Sequence, residues 1–290
     1  MPGIIVNLRE IVYFITALII LESAIYVFRL KGRSVTNIVY SLFTGNVAFF
    51  TFVLFMISGS DNCENCQWWY NVSIISACLG PPLTLHFTLS VTRKRTAFNP
   101  AVITLLYLPA IIFMGVIYRY NYYLPCFNMT DWGWETVLNI NSRYAILFII
   151  YSSLLTMAAL SVILNWRYHA ANEIDRIQSR SLLLPYLAGQ AGLLFSPYFI
   201  HVENNNLINL FLDVIGSFLF VIFIAGVRYS IERYSFMKIT SASSAGDIIN
   251  GLSDPVFLVE GDGRIIHCNK KGGSTDIREP QGDRAFCRYL

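Results

Sequence analysis

Three ionisable residues, Glu22, His86 and Asp213, lie inside long apolar stretches of a 290-residue sequence. An ionisable group in hydrocarbon is costly, so each marks a place where ligand binding, proton transfer or bonding between helices must compensate its desolvation. Gln190 and Asn46 add uncharged polar groups to two further apolar stretches. Cys63 and Cys66 stand in an acidic segment, and Cys126 lies among tyrosines and tryptophans. Three thiols leave three readings open: a disulfide from Cys63 or Cys66 to Cys126, inert thiols, or part of a metal site. A structural zinc takes four ligands, and three cysteines fall short of that. No metal site is assigned, and no cofactor is evident.

These groups need a scaffold, and composition indicates its kind. The chain is 55% hydrophobic, 15% aromatic and only 13% charged, with a mean hydropathy of +0.52. A soluble domain carries roughly 25% charged residues, so a soluble enzyme and a disordered tail both fit poorly. The net charge of +3 is too small to imply nucleic acid or another polyanion as partner. The lipid bilayer is the expected environment.

A helix needs about 20 mostly apolar residues to cross the hydrocarbon. Seven stretches qualify, at 11–28, 38–58, 68–91, 101–118, 144–164, 182–200 and 207–227. Basic residues follow the odd-numbered spans: Arg29, Lys31 and Arg33; Arg93, Lys94 and Arg95; Arg167, Arg176 and Arg180; Arg228, Arg233 and Lys238. The opposite side holds Arg9, Arg119 and Arg143. The positive-inside bias then predicts an extracytoplasmic N-terminus and a cytoplasmic C-terminus in the cell membrane. The first span has no basic leader and no small-residue cleavage site after it, so it reads as a retained helix rather than a signal peptide.

Threading the spans from outside to inside puts Glu22 and His86 at similar depths in the inner leaflet, where they could pair. Asp213 falls in the outer third, too shallow to join them. Prolines interrupt the third span (Pro81, Pro82), the fourth (Pro109) and the sixth (Pro185, Pro197), and kinked helices with polar interiors form cavities or hinges. Glu22, His86, Gln190 and Asp213 are therefore candidates for a ligand or proton site. Interhelical bonding is the competing reading of each. Gly189 and Gly192, beside Ala188, mark close helix packing. The outer segment 119–143 is dense in Tyr and Trp, which fits either an interfacial aromatic belt or a lid over a ligand site.

After residue 227 the composition becomes polar. Arg228, Ile231 and Tyr234 read as a helical continuation of the seventh span, suited to relay a signal. Apolar runs at 256–259 and 264–268, separated by Gly261-Asp262-Gly263, predict a β-hairpin. A lone hairpin is marginal in water, so this soluble part is expected to be incomplete. The organisation is a seven-helix domain over 1–227, a linker helix over 228–245 and an α+β segment over 246–290.

Seven spans leading into the pattern D-P-V-x-x-x-x-x-x-G-x-I-x-x-x-N resemble the N-terminal seven-transmembrane sensory region of prokaryotic histidine kinases, followed by the start of a PAS domain. The resemblance rests on the run from Pro81-Pro82-Leu83 to Leu89 around His86, on Arg176-Ile177-Gln178, and on Asp254, Pro255, Gly263 and Asn269. It departs at Glu260, where PAS domains favour Asp, and at Lys270-Lys271-Gly272, where small apolar residues are usual. The family implies a sensor of a two-component system that acts as a homodimer. It also implies an unknown small-molecule or physical stimulus and a downstream kinase or response regulator. None of the four histidines fits a phosphoacceptor role, and Gly261 to Gly263 belong to a turn, so this chain is not expected to phosphorylate anything. The alternative is a small transporter or channel with a regulatory tail, though no repeat relates two halves of the chain.

Overall fold

The computed structural model describes residues 7–30, 35–92, 99–120, 126–137, 143–170, 173–194, 206–234, 254, 257–259 and 265–268. Seven helices occur in them: α1 (Leu8–Arg29), α2 (Val35–Ser58), α3 (Cys63–Val91), α4 (Pro100–Tyr120), α5 (Arg143–Tyr168), α6 (Glu173–Leu194) and α7 (Asn206–Tyr234). Strands β1 (Cys126–Thr130) and β2 (Gly133–Val137) pair antiparallel between α4 and α5. Strands β3 (Phe257–Val259) and β4 (Ile265–Cys268) pair antiparallel near the C-terminus, as the apolar runs flanking Gly261-Asp262-Gly263 predict. Pro255, Gly263 and Asn269 lie outside the described residues, as do Lys31, Arg33, Arg93, Lys94 and Arg95.

Six of the seven helices are long and apolar enough to cross a membrane. The exception is α6. It starts nine residues before the expected span, and its first two turns hold Glu173, Asp175, Arg176 and Arg180. The second part of that expected span, from residue 195, is outside the described residues.

The chain divides into two compact units, Met1–Met237 and Lys238–Leu290. Within the first, α1 packs on α2, α2 on α3, α3 on α5, α5 on α6 and α6 on α7. Contact of α7 with α1 closes the ring, and α4 packs on α3 and meets α5 through Phe113. Leu105, Leu154 and Leu184 are among the large apolar side chains left exposed. They form the lipid-facing surface of a multi-pass membrane protein, where apolar exposure is favourable.

Small residues set the α6–α7 seam. A Cβ on Gly226 would sit 2.4 Å from Pro185 Cγ, and one on Gly189 would sit 2.8 Å from the Phe223 ring. Gly192 lies as close to the Gly216 carbonyl. Close approach of this kind strengthens van der Waals packing where no hydrophobic drive exists between helices. On the other side of the ring, Asn46 and Ser76 form a reciprocal clamp. Asn46 Nδ2 donates to the Ser76 carbonyl at 3.0 Å, and Ser76 Oγ donates to the Asn46 carbonyl at 2.7 Å.

Pro81 and Pro82 lie within α3 without ending it. The hydroxyls of Thr84 and Thr88, which come after them, bond back to the carbonyls of Gly80 and Thr84 at 2.9 Å. Such back-bonding satisfies a hydroxyl inside the helix itself. An aromatic chain fills the core: Tyr40 and Phe43 meet Phe87, Phe43 meets Phe223, and Phe223 meets Tyr186, at centroid distances of 5.5 to 6.2 Å.

Candidate functional site: a cavity under a buried ion cluster

The ring surrounds a cavity of about 520 Å³ to which all seven helices contribute. Phe43, Tyr186 and Phe223 of the aromatic chain line it, with Tyr13, Tyr70 and Phe220. Its polar lining includes Asn46, Gln190, Ser217 and Asp213. Among the described lining residues, Asp213 is the one charged side chain. The structure thus brings together Asp213 and Gln190, two of the four intramembrane candidates.

Asp213 is held from behind by Arg9. The guanidinium Nε stands 2.8 Å from Asp213 Oδ2, and Nη2 stands 3.8 Å from Glu135 Oε2. All three side chains are 2–3% exposed. Arg9 therefore serves two carboxylates, one on α7 and one on β2. Arg9 stands at hydrogen-bond distance without strict alignment, and the side chains of Arg9 and Tyr13 both act on the carboxylate.

The β1–β2 hairpin carries Glu135 into this cluster, and the ends of α2 and α3 hold the hairpin. Thr130 Oγ1 donates to the Gly133 carbonyl at 2.7 Å and closes the turn. Gly133 takes a φ of +103°, and a Cβ there would be 2.6 Å from the Ser58 carbonyl, so glycine is required on both counts. Trp134 Nε1 donates to the Ser60 carbonyl at 2.7 Å. Phe127 meets Tyr70 edge-on at 6.1 Å. The segment expected to be an aromatic loop is thus a docked hairpin.

Glu22 and His86 do not pair with each other. Glu22 is bonded to Arg228 of α7, whose guanidinium also sits 4.1 Å over the Tyr26 ring. His86 Nδ1 lies 3.1 Å from the Tyr107 hydroxyl of α4. Both act across helix seams, away from the cavity lining. The physical reason is their helices' neighbours: α1 packs between α2 and α7, while α3 presents His86 to α4.

Cys63 and Cys66 occupy the first turn of α3, capped by Asn62, whose Oδ1 accepts from the Asn65 amide at 2.8 Å. Both are free thiols in the structure. Cys63 is exposed, whereas Cys66 is buried with Sγ 3.7 Å from the Ile57 carbonyl, in the seam with α2. The side chain of Cys126 lies outside the described residues. Of the relay candidates, Arg228 bonds Glu22, and Ile231 is buried in the main core. The Tyr234 side chain is outside the described residues.

Arg9 and Glu135 are the members that sequence reasoning missed. Arg9 counts as a flanking charge on the outer side, and Glu135 carries no reading of its own. The available signal was depth: Arg9 begins α1 and Asp213 lies within two turns of the start of α7, and as odd-numbered spans the two helices run in the same direction, which sets these residues level.

None of the curated proteins matches this sequence significantly. The family model described as the N-terminal 7TM region of histidine kinase matches residues 12–240. The chain belongs to that family.

Proposed function

We propose that the chain is the membrane-embedded input module of a two-component histidine kinase, with its N-terminus extracytoplasmic and its C-terminus cytoplasmic. The stimulus enters the cavity beside Asp213 and favours one packing of the ring over another. That requires different affinity for the two packings. The observation that carries this reading is α7, one unbroken helix from Asn206 to Tyr234. It holds Asp213 in the cavity lining and Arg228 near its other end, and from there the chain runs toward the PAS-like hairpin.

The module works as a homodimer through the outer face of α7. Ile208, Phe211, Ile215, Phe218, Ile222, Ala225 and Tyr229 are all exposed. Their alternating spacing of three and four is the seam of a left-handed helix pair. Ile231 faces the opposite way, into the core, so it transmits movement within the bundle rather than between protomers.

Alanine insertions after Tyr234 in the full-length gene product test the relay. Each inserted residue turns the downstream chain by about 100°. Autophosphorylation in membranes should change with one or two insertions and return with four. Output indifferent to insertion length would end this reading, and solute flux in liposomes would put a transporter or channel with a regulatory tail in its place.

A further inference from the structure

We infer that the cavity is built for an apolar amine: a largely hydrocarbon molecule with one cationic, hydrogen-bond-donating head placed against Asp213. The inference rests on the sensor reading and names the ligand class of that same site. Two independent features select the head group. The sole charged side chain of the described lining is a carboxylate, 3% exposed, which Arg9 and Tyr13 approach without strict hydrogen-bond alignment at either oxygen. An ammonium donor there adds a charge-assisted hydrogen bond to a carboxylate whose Arg9 partner is shared with Glu135.

The second feature is the remaining lining. Tyr13, Tyr70, Phe43, Tyr186, Phe220 and Phe223 all border the cavity. Aromatic rings attract cations through their quadrupoles, most strongly where water is excluded. They also accept the hydrocarbon body. A carboxylate ligand meets the opposite situation: Asp213 repels it, and Arg9 is not among the lining residues. The volume of about 520 Å³ falls within the range of small-molecule pockets.

Binding has a mechanical consequence. An ammonium at Asp213 competes with Arg9 for the same carboxylate, and Glu135 already stands 3.8 Å from the guanidinium. Arg9 then exchanges its α7 partner for its hairpin partner. The amine thereby loosens α1 from α7 and tightens α1 on β2.

The test uses the whole chain in lipid nanodiscs with phenylbutylamine, phenylbutanol and phenylbutyrate, read by the ligand-dependent shift of the unfolding midpoint. Phenylbutylamine should bind on the order of tenfold tighter than phenylbutyrate, the discrimination of one charge-assisted hydrogen bond. Asp213→Asn should erase that preference. Ser217→Leu, which fills the lining one turn from Asp213 and keeps the carboxylate, should weaken all three. Equal binding of the probes, or preference for phenylbutyrate, overturns the amine assignment. The cavity stays a ligand site in that case if Ser217→Leu still weakens binding. Shifts that ignore Ser217→Leu and Asp213→Asn alike, or no shift with any probe, overturn the amine and the ligand-cavity reading together.

Discussion

α1 and α7 are tied by an ion pair near each end of their seam, and the two ties differ in burial and in polarity. At the hairpin end α1 supplies the cation, Arg9, and α7 the anion, Asp213. At the other end α1 supplies the anion, Glu22, and α7 the cation, Arg228. The pairs stand roughly 20 Å apart along each helix, at 1.5 Å per residue. The Arg9 pair is 2% exposed on both sides, whereas the Arg228 pair is 30% and 59% exposed. A buried pair is costly to leave half-broken, while an exposed one is nearly neutral. The seam is therefore firm beside the cavity and adjustable where α7 leaves the bundle. The reversed polarity also fixes which way α1 and α7 align, because a shifted register loses both ties at once.

Removing the shared cation breaks this asymmetry most severely. Arg9→Met strands Asp213 and Glu135 in the interior without their common counter-ion. The expected loss is about 3–5 kcal/mol, measured as the unfolding free energy in nanodiscs. Combining Arg9→Met with Asp213→Leu should recover part of it, because the α1–α7 seam is then apolar on both sides while Glu135 still lacks the guanidinium. A single variant as stable as the parent would mean that the cluster holds nothing together.

The hairpin is the other support of the firm end. Gly133→Ala meets the Ser58 carbonyl at 2.6 Å in a backbone conformation with φ of +103°, so both sterics and strain oppose it. A loss of about 1–3 kcal/mol is expected, with Trp134 released from the Ser60 carbonyl and faster hydrogen exchange across β1 and β2. Gly45→Ala is the matched control, since a Cβ there has nothing within 4 Å and alanine favours the helix. Equal effects at the two glycines would show that the hairpin is not docked as described.

The helices were legible because a span needs only length and apolarity, and windows such as 207–227 have both. Close packing at Gly189 was legible too, since a glycine inside an apolar helix has few other uses. The ion cluster was not. Its three members come from segments far apart in sequence: the first turns of α1, the second strand of a hairpin and the start of α7. Hydropathy carries no information about which helices are neighbours. Glu22 and His86 do not pair for that reason, since equal depth puts two residues in one layer but not on adjacent helices. The β1–β2 hairpin escaped because Asp131-Trp132-Gly133 offers a single glycine amid aromatics, weaker punctuation than the Gly261-Asp262-Gly263 turn.

The adjustable end should answer weakly to the mutation that silences its charge. Glu22→Gln removes the anion but leaves Arg228 stacked over Tyr26 at 4.1 Å, and the partly exposed guanidinium keeps access to its surroundings. The expected change in stability is at most about 1 kcal/mol, and it should shrink further at high salt. Arg228→Lys sharpens the point. It keeps the charge for Glu22 but loses the planar face that stacks on the ring, so it separates the ring's contribution from that of the ion pair. If Glu22→Gln cost as much as Arg9→Met under the same unfolding conditions, the two ends would be equally firm. The seam would then have no preferred place to open, and a signal leaving through α7 would have to move both ties together.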